Sequence, residues 1–451
     1  MIAAKAVSSS ELTKMDKLHH VHPFTNPVAL SKGSPQMIVR AEGIYFYTAD
    51  GRKIMDVGSA LHNVNIGYGN RRVCDAAHEA MLTLSYASTA VGRTNPWVAM
   101  LSERLAQITP PRFQRFLFSS TGSEAVEGAI KVALRYWRLR GQPNKRCVIG
   151  RKSSFHGNTM FTASLTGIES YHTQFGLPIT DTVHYADAPY WYRDGGGRSP
   201  EQFGIDVASA LEQQILRIGP ENVAAFVGDP IQVAGGTIIP PASYWPAVRR
   251  ICDQYEILLI ADEIITGFGK TGQMFGFQSF GFEPDLFAMA KGLSSGYFPI
   301  SAVGISDQVA DVIQGADEVF FHIFTNSGHP VGAATALANL DIIESEGLVD
   351  RVRNEIGPYF SRRLREFLAF PCVGEVRSTG VLGTIDFDFS KQDPSKGSEY
   401  KASFLAKVGA IAFERGLSSR GTEFCLPMVI TTQQIDEAVE ILKLSITEAL
   451  Y

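Results

Sequence analysis

The chain has 451 residues, 45% hydrophobic and 19% charged, with 41 Lys and Arg against 46 Asp and Glu and a formal net charge of −5. That length accommodates a large domain plus a smaller one, and the charge balance, without a long basic run, excludes a nucleic-acid surface as the main business. Five cysteines, Cys74, Cys147, Cys252, Cys372 and Cys425, lie scattered and never in CxxC spacing, which argues against a disulfide framework or a zinc site and for thiols in a reducing compartment.

No metal site is expected. The opening MIAAKAVSSSELTKMDKL lacks the apolar core of a signal peptide, and no run of about 18 apolar residues occurs. The expectation is a cytoplasmic protein that acts on small molecules, with neither nucleic acid nor membrane as a partner.

Taken in chain order, residues 40–55 (RAEGIYFYTADGRKIM) alternate, turn at Asp50-Gly51 and alternate again, as a hairpin does. Short apolar runs follow at 115–119 (RFLFS), 146–150 (RCVIG), 223–228 (VAAFVG), 257–261 (ILLIA), 286–290 (LFAMA) and 302–306 (AVGIS). Apolar on both faces and separated by amphipathic stretches, they suit parallel strands covered by helices on either side, an α/β pattern.

Residues 121–140 predict a helix opening directly after a strand. Thr121 and Glu124 form a capping box, Ala125, Ala129, Val132, Ala133 and Tyr136 keep helical spacing, and Gly141 with Pro143 stops it. The segment 193–200 (RDGGGRSP) reads as a flexible insertion. A helix-like stretch begins at Val331, short strands are expected around 380–389, and an amphipathic helix at 432–450 closes the chain. The implied organisation is a large domain at 71–329 with a mostly parallel sheet, and a small α+β domain built from both chain ends, 1–70 and 330–451.

The chemistry concentrates in ILLIADEIITGFGKTG at 257–272 and LFAMAKGLSSGY at 286–297. One buried strand ends in Asp262 and the next in Lys291, so both side chains fall at the carboxyl edge of a parallel sheet, where open α/β sheets bind ligands. A poorly solvated lysine there can lose its proton near neutrality and attack an aldehyde. Pyridoxal phosphate is the cofactor that pairs a lysine Schiff base with a carboxylate on its ring nitrogen. Taken singly, Asp262 serves equally well as a helix N-cap and Lys291 as a solvated loop lysine; the joint arrangement favours the cofactor.

DEIITGFGKTG and AKGLSSGY resemble the signature of the class III, or ω-, aminotransferases, which have the fold type I of pyridoxal-phosphate enzymes. The resemblance extends through HPFTN, AEGIYFYTADGRKIMD, SSTGSEA, FHG, AGGTIIPP and FTNSGHP, in family order along essentially the whole chain. It implies a cofactor site made by Thr121, Gly122, Ser123, Phe155, His156, Asp262, Ile264, Lys291 and Thr325. Thr121, Gly122 and Ser123 at a helix start would receive the phosphate, Phe155 and Ile264 would cover the two ring faces, and Thr325 would reach the phosphate in the neighbouring subunit of a homodimer with shared active sites. Lys291 would hold the cofactor covalently and shuttle the substrate proton, and Asp262 would keep the ring nitrogen protonated.

For substrate, the resemblance implies Phe24, His62, Arg93, Phe155 and Arg420. Arg420 lies where the family has a mobile arginine for the substrate carboxylate, a pairing that the planar guanidinium fork suits. His62 stands where tryptophan is usual and reads as a pocket-wall residue rather than a catalytic one. Asp229 replaces the usual glutamate, Ile265 a glutamine and Ile323 a glycine. The isoleucine at 265 points to the branch that moves an amino group from an amine or ω-amino acid to pyruvate by ping-pong kinetics, and the shorter acid at 229 speaks against a glutamate-like salt bridge to Arg420. A 2-oxoglutarate-dependent aminotransferase, an aminomutase, decarboxylase or lyase on the same scaffold, and a non-catalytic protein of the same fold remain alternatives.

Overall fold

The computed structural model describes residues 7–390, 397–419 and 421–451. Near the amino terminus three strands form an antiparallel meander: β1 (Ile38–Glu42), β2 (Tyr45–Thr48) and β3 (Lys53–Asp56). The expected hairpin at 40–55 is therefore two hairpins sharing β2. The turn at Asp50-Gly51 joins β2 to β3 as read, and a second turn at Gly43-Ile44, where Gly43 has φ +59°, divides the first arm. A glycine inside an alternating run was the available signal for that break.

Seven strands build the central sheet: β4 (Phe113–Ser119), β5 (Cys147–Arg151), β6 (Val183–Ala186), β7 (Val223–Gly228), β8 (Leu258–Asp262), β9 (Leu286–Met289) and β10 (Ser301–Ser306). Their order is β4-β10-β9-β8-β7-β5-β6. All neighbours from β9 to β6 pair in parallel, whereas β10 runs antiparallel to both β9 and β4. All six apolar runs are strands of this mostly parallel sheet. The expectation of a parallel strand at 302–306 is corrected: β10 is buried along its whole length, so its apolar pattern is that of a parallel strand whatever its direction. β6, with only four residues and a histidine, lacked a continuous apolar run.

Alternate residues of these strands enter two different cores. Val148, Ala225, Val227, Leu258, Ile260, Leu286, Ala288 and Val303 pack under the helix Gly122–Leu139, through its Ala125, Ala129, Val132, Ala133 and Tyr136. Ile149, Phe226, Leu259, Ala261, Phe287, Met289 and Ala302 face a larger core on the other side, with helices Pro200–Ile218 and Tyr244–Gln254. Burial on both faces is what makes the strands read as unbroken apolar runs. Thr121 caps its helix as predicted, accepting from Glu124 N while Glu124 accepts from Thr121 N.

In the last third, helix Pro330–Ser345 is followed by β11 (Val373–Thr379), β12 (Leu382–Phe387), β13 (Leu417–Ser418) and β14 (Glu423–Cys425), and helix Thr432–Leu450 closes the chain. β11, β12 and β14 form an antiparallel sheet, while β13 adds in parallel to β3 and so stitches the two chain ends into one sheet. Among the described residues no helix is long and apolar enough to cross a membrane. All five cysteines are free; Cys252, Cys372 and Cys425 are buried and Cys74 is exposed.

The chain leaving β8 is pinned by Glu263, which is fully buried and accepts from Thr266 Oγ1 at 2.6 Å, Gly276 N at 2.8 Å and Phe277 N at 2.7 Å. Burial outweighs these three donors and pushes its carboxyl from 4.5 up to about 7. A carboxyl raised in the folded state holds a proton that the unfolded chain has released, so its stabilising contribution is complete below 4.5 and fades as pH rises through about 7. The stability difference between wild type and Glu263→Gln should therefore shift against wild type from pH 5 to 8 in urea unfolding. A difference that grows in favour of wild type over that range would show that the anion is the species the fold prefers.

Candidate active site

Four adjacent parallel strands present charged residues along one sheet edge. Arg151 ends β5, Asp229 follows β7, Asp262 ends β8 and Lys291 lies just beyond β9. The register, with Gly228 opposite Ala261 and Asp262 opposite Ala288, keeps them in line. A cavity of about 330 Å³ opens on this edge. Ser120, Thr121, Gly122, Ser123, Phe155, His156, Asp229, Asp262, Ile264, Ile265 and Lys291 line it.

Lys291 opens a short 3-10 turn, Lys291–Leu293, with φ +38°, a conformation few side-chain-bearing residues adopt. The turn is held from behind by buried Asn339. Its Nδ2 donates to the carbonyls of Gly292 at 2.8 Å and Leu293 at 3.0 Å, and its Oδ1 accepts from Ser295 Oγ at 2.6 Å. Strain at the one lysine of the cavity is tolerated because the surrounding bonds over-determine it.

Asp262 is buried and doubly restrained. Ile264 N donates to its Oδ1 at 3.1 Å and His156 Nδ1 donates to its Oδ2 at 2.8 Å. His156 is buried too, its backbone N–H held by Thr166 Oγ1 at 3.0 Å, and its Nε2 has no partner among the described residues. Across the cavity the capping box spends the N–H groups of Ser120, Thr121 and Glu124 on side chains. The N–H groups of Gly122 and Ser123 face the helix start instead. The Ser123 hydroxyl accepts from Asn158 N at 3.1 Å, which leaves its own proton to donate. A Cβ at Gly122 would lie 3.1 Å from the Ile264 side chain, so a larger residue there would press on that side chain.

These groups suit pyridoxal phosphate. A helix N-terminus with unspent donors fits a phosphate, a restrained buried carboxylate fits a ring nitrogen, Phe155 and Ile264 offer faces for a flat ring, and Lys291 offers an amine for an aldehyde.

The expected substrate residues are dispersed. Phe24 is 82% exposed and is linked to the site through Tyr171, whose ring lies 5.9 Å from Phe24 and 5.1 Å from Phe155. His62 is buried, and its carbonyl accepts from the fully buried Lys270 Nζ at 2.9 Å. Neither lines the cavity. Arg93 and Thr325 are exposed and also lie outside it. Arg420 lies outside the described residues. Asn63, Ser294, Gly296 and Phe298 are among the further wall residues that the sequence did not single out. They come from turns at the mouth whose residue types carry no chemical signature, although Ser294 and Gly296 stand within the AKGLSSGY motif.

Comparison with known proteins agrees with this geometry. Residues 29–446 match the family described as aminotransferase class-III. A putrescine–pyruvate aminotransferase of Pseudomonas aeruginosa is 39% identical over 433 residues, covering 95% of this chain and 94% of that one. A thermostable (S)-enantioselective ω-transaminase of Thermomicrobium roseum superposes with a TM-score of 0.94 at 38% identity, covering 99% of both chains. A transaminase solved with L-alanine has a TM-score of 0.88 at 39% identity, covering 92% of this chain and 99% of that one. The chain belongs to the class III aminotransferases and, as a member, works with pyridoxal phosphate.

Proposed function

We propose that this aminotransferase moves an amino group from an amine or ω-amino acid to pyruvate, with Lys291 and Asp262 as its catalytic residues. The observation that carries the reading is the convergence of Lys291, Asp262 and the Gly122-Ser123 helix start on one cavity with a mostly apolar wall. Bound pyridoxal phosphate supplies an aldehyde that condenses with amines and a ring that takes up the electron pair released at the substrate carbon. Lys291 Nζ would be the amine that holds the cofactor and, once free, would move the proton at the substrate carbon. Asp262, fixed by His156 and Ile264 N, holds a positive charge on the ring nitrogen. Thr121, Gly122 and Ser123 hold the phosphate, and Phe155 and Ile264 keep the ring flat between them.

The acceptor follows from the supply of cations. Arg420, in GLSSRGTEF, receives the keto-acid carboxylate and turns away when the donor has none. Pyruvate needs no more than that, whereas 2-oxoglutarate requires a second cation. The relative named for putrescine and pyruvate and the transaminase solved with L-alanine, the amino acid that pyruvate becomes, support the same choice.

The assembly in this reading is a homodimer with shared sites. Arg93 and Thr325 sit on loops tied to each other, Tyr86 donating to the Thr325 carbonyl at 2.7 Å and Thr89 to the Ser327 carbonyl at 3.0 Å. Beside them Val91 and Phe321, each 88% exposed, offer apolar surface of the kind a subunit contact covers. We assign residues 71–329 to the cofactor domain and 1–70 with 330–451 to the small one.

Lys291→Ala should fold, bind the cofactor without a covalent link and lack turnover. Mixed with an inactive Thr325 variant, it should regain activity, because one site of the heterodimer then receives both intact residues. Turnover by Lys291→Ala alone, or an active monodisperse monomer, would overturn the assignment. Separately, Arg420→Ala should weaken the pyruvate half-reaction by about 1.5–3 kcal/mol, the size of a hydrogen bond to a charged group, and the monoamine half-reaction far less. Equal losses in both, or a wild-type preference for 2-oxoglutarate, would show the arginine or the branch to be misassigned.

A further inference from the structure

Asp229 is the acid in the cavity that the cofactor does not use. Its Oδ1 is taken from behind: Arg151 Nη2 lies 3.0 Å away and Ser154 Oγ donates at 2.8 Å. Arg151 is completely buried beneath it, also donates to the Asp229 backbone carbonyl, and lies 4.9 Å from the centre of the Trp245 ring. Asp229 is thus an ion-paired carboxylate held rigidly by two buried groups. Its Oδ2 accepts no hydrogen bond among the described residues, yet it is not sealed off, because the side chain keeps 12% of its surface and that surface is on the cavity. Ile231 and Ile265 are the neighbouring apolar wall. Although Arg151 offsets part of its charge, a carboxylate oxygen on the cavity beside two isoleucines is left to pair with a cation that enters.

The sheet fixes how far away that cation sits. β7, which delivers Asp229, and β9, which leads to Lys291, are separated only by β8, so their ends stand two strand spacings apart, about 10 Å. Asp229 and Lys291 both line the one cavity, so a molecule that meets both is short. Its methylenes would lie along Ile231 and Ile265.

We propose that Asp229 Oδ2 is a receptor for the second ammonium group of a short diamine donor, whose first amine reacts at Lys291. This rests on the amine-donor reading above and narrows it. An ω-amino acid bound the same way would set its carboxylate against that of Asp229, and a monoamine would leave Oδ2 unpaired.

The test compares diaminobutane, pentylamine (a methyl in place of the second ammonium) and γ-aminobutyrate as donors to the holoenzyme, following each half-reaction by cofactor absorption. Wild type should prefer diaminobutane to pentylamine by about tenfold or more in kcat/KM, the effect of one charge-assisted hydrogen bond, with the difference in KM, and γ-aminobutyrate should come last. Asp229→Asn should collapse the diamine-to-monoamine ratio toward one. Because Asp229→Asn leaves the buried Arg151 without its counter-charge, the double variant Arg151→Met, Asp229→Asn, which removes both charges, is read alongside it. Calorimetric binding of tetramethyl-diaminobutane, which cannot react, should weaken in the same variants.

A wild type without preference for the diamine, a ratio that survives both variants, or a loss that falls in the keto-acid half-reaction instead would overturn the proposal. The last result would make Asp229 a partner of the carboxylate-binding arginine. Failure of the wider reading looks different: no donor then transfers its amino group, and calorimetry still decides whether Asp229 binds the dication.

Discussion

The structure depends on the common direction of β5, β7, β8 and β9. Parallel strands end together, so their carboxyl ends bring Arg151, Asp229, Asp262 and Lys291 to one edge, where the interior stops and the chain is free to turn. Charges so close to a dry core are tolerable only when each is engaged. Arg151 is matched to Asp229, Asp262 is bonded by His156 and the Ile264 amide, and Glu263, which turns into the core, takes three donors from the loop it pins. The same pairings that make the edge stable also fix the directions of the acids.

That rigidity explains the division of labour between edge and loops. The groups requiring accurate placement come from strand ends and from the start of the helix Gly122–Leu139, and their supports are buried: Asn339 behind the Lys291 turn, His156 beside Asp262, Arg151 and Ser154 behind Asp229. Residues expected to meet the substrate come from elsewhere. The segment at Ser59, Ala60 and His62 has positive φ at all three and is braced by Lys270, while Phe24 and Arg93 lie on exposed loops. A site that must accept two differently shaped substrates in turn keeps its chemistry on the sheet and its selectivity on surfaces that can vary.

Legibility in the sequence followed the same line. Strands buried on both faces, the capping box at Thr121 and the closing helix Thr432–Leu450 were readable because local pattern and final environment agree. Asp262 and Lys291 were readable because each follows a buried run. Strand direction was not, since β10 has the same apolar pattern in either orientation. The second turn at Gly43 was hidden inside an alternating stretch, and β6 was too short to register. Arg151 was not legible, because nothing local distinguishes a buried arginine from a solvated one; its pairing with a residue 78 positions away does so.

Asp229 illustrates how a departure from a family pattern acquires meaning. In the sequence, the shorter acid is merely a weaker partner for a distant arginine. In the fold, Arg151 and Ser154 hold its carboxylate from the core side, so the shorter side chain is fixed at the wall instead of reaching across the cavity. The isoleucine at 265, in place of an amide, adds apolar surface to the same wall. Two substitutions that look like losses of hydrogen-bonding capacity together leave one fixed negative oxygen beside an apolar strip. Charge at one end and hydrocarbon along the side is a surface that would select by the length and terminal charge of what enters, and it leaves the proposed catalytic pair, Lys291 and Asp262, unaltered.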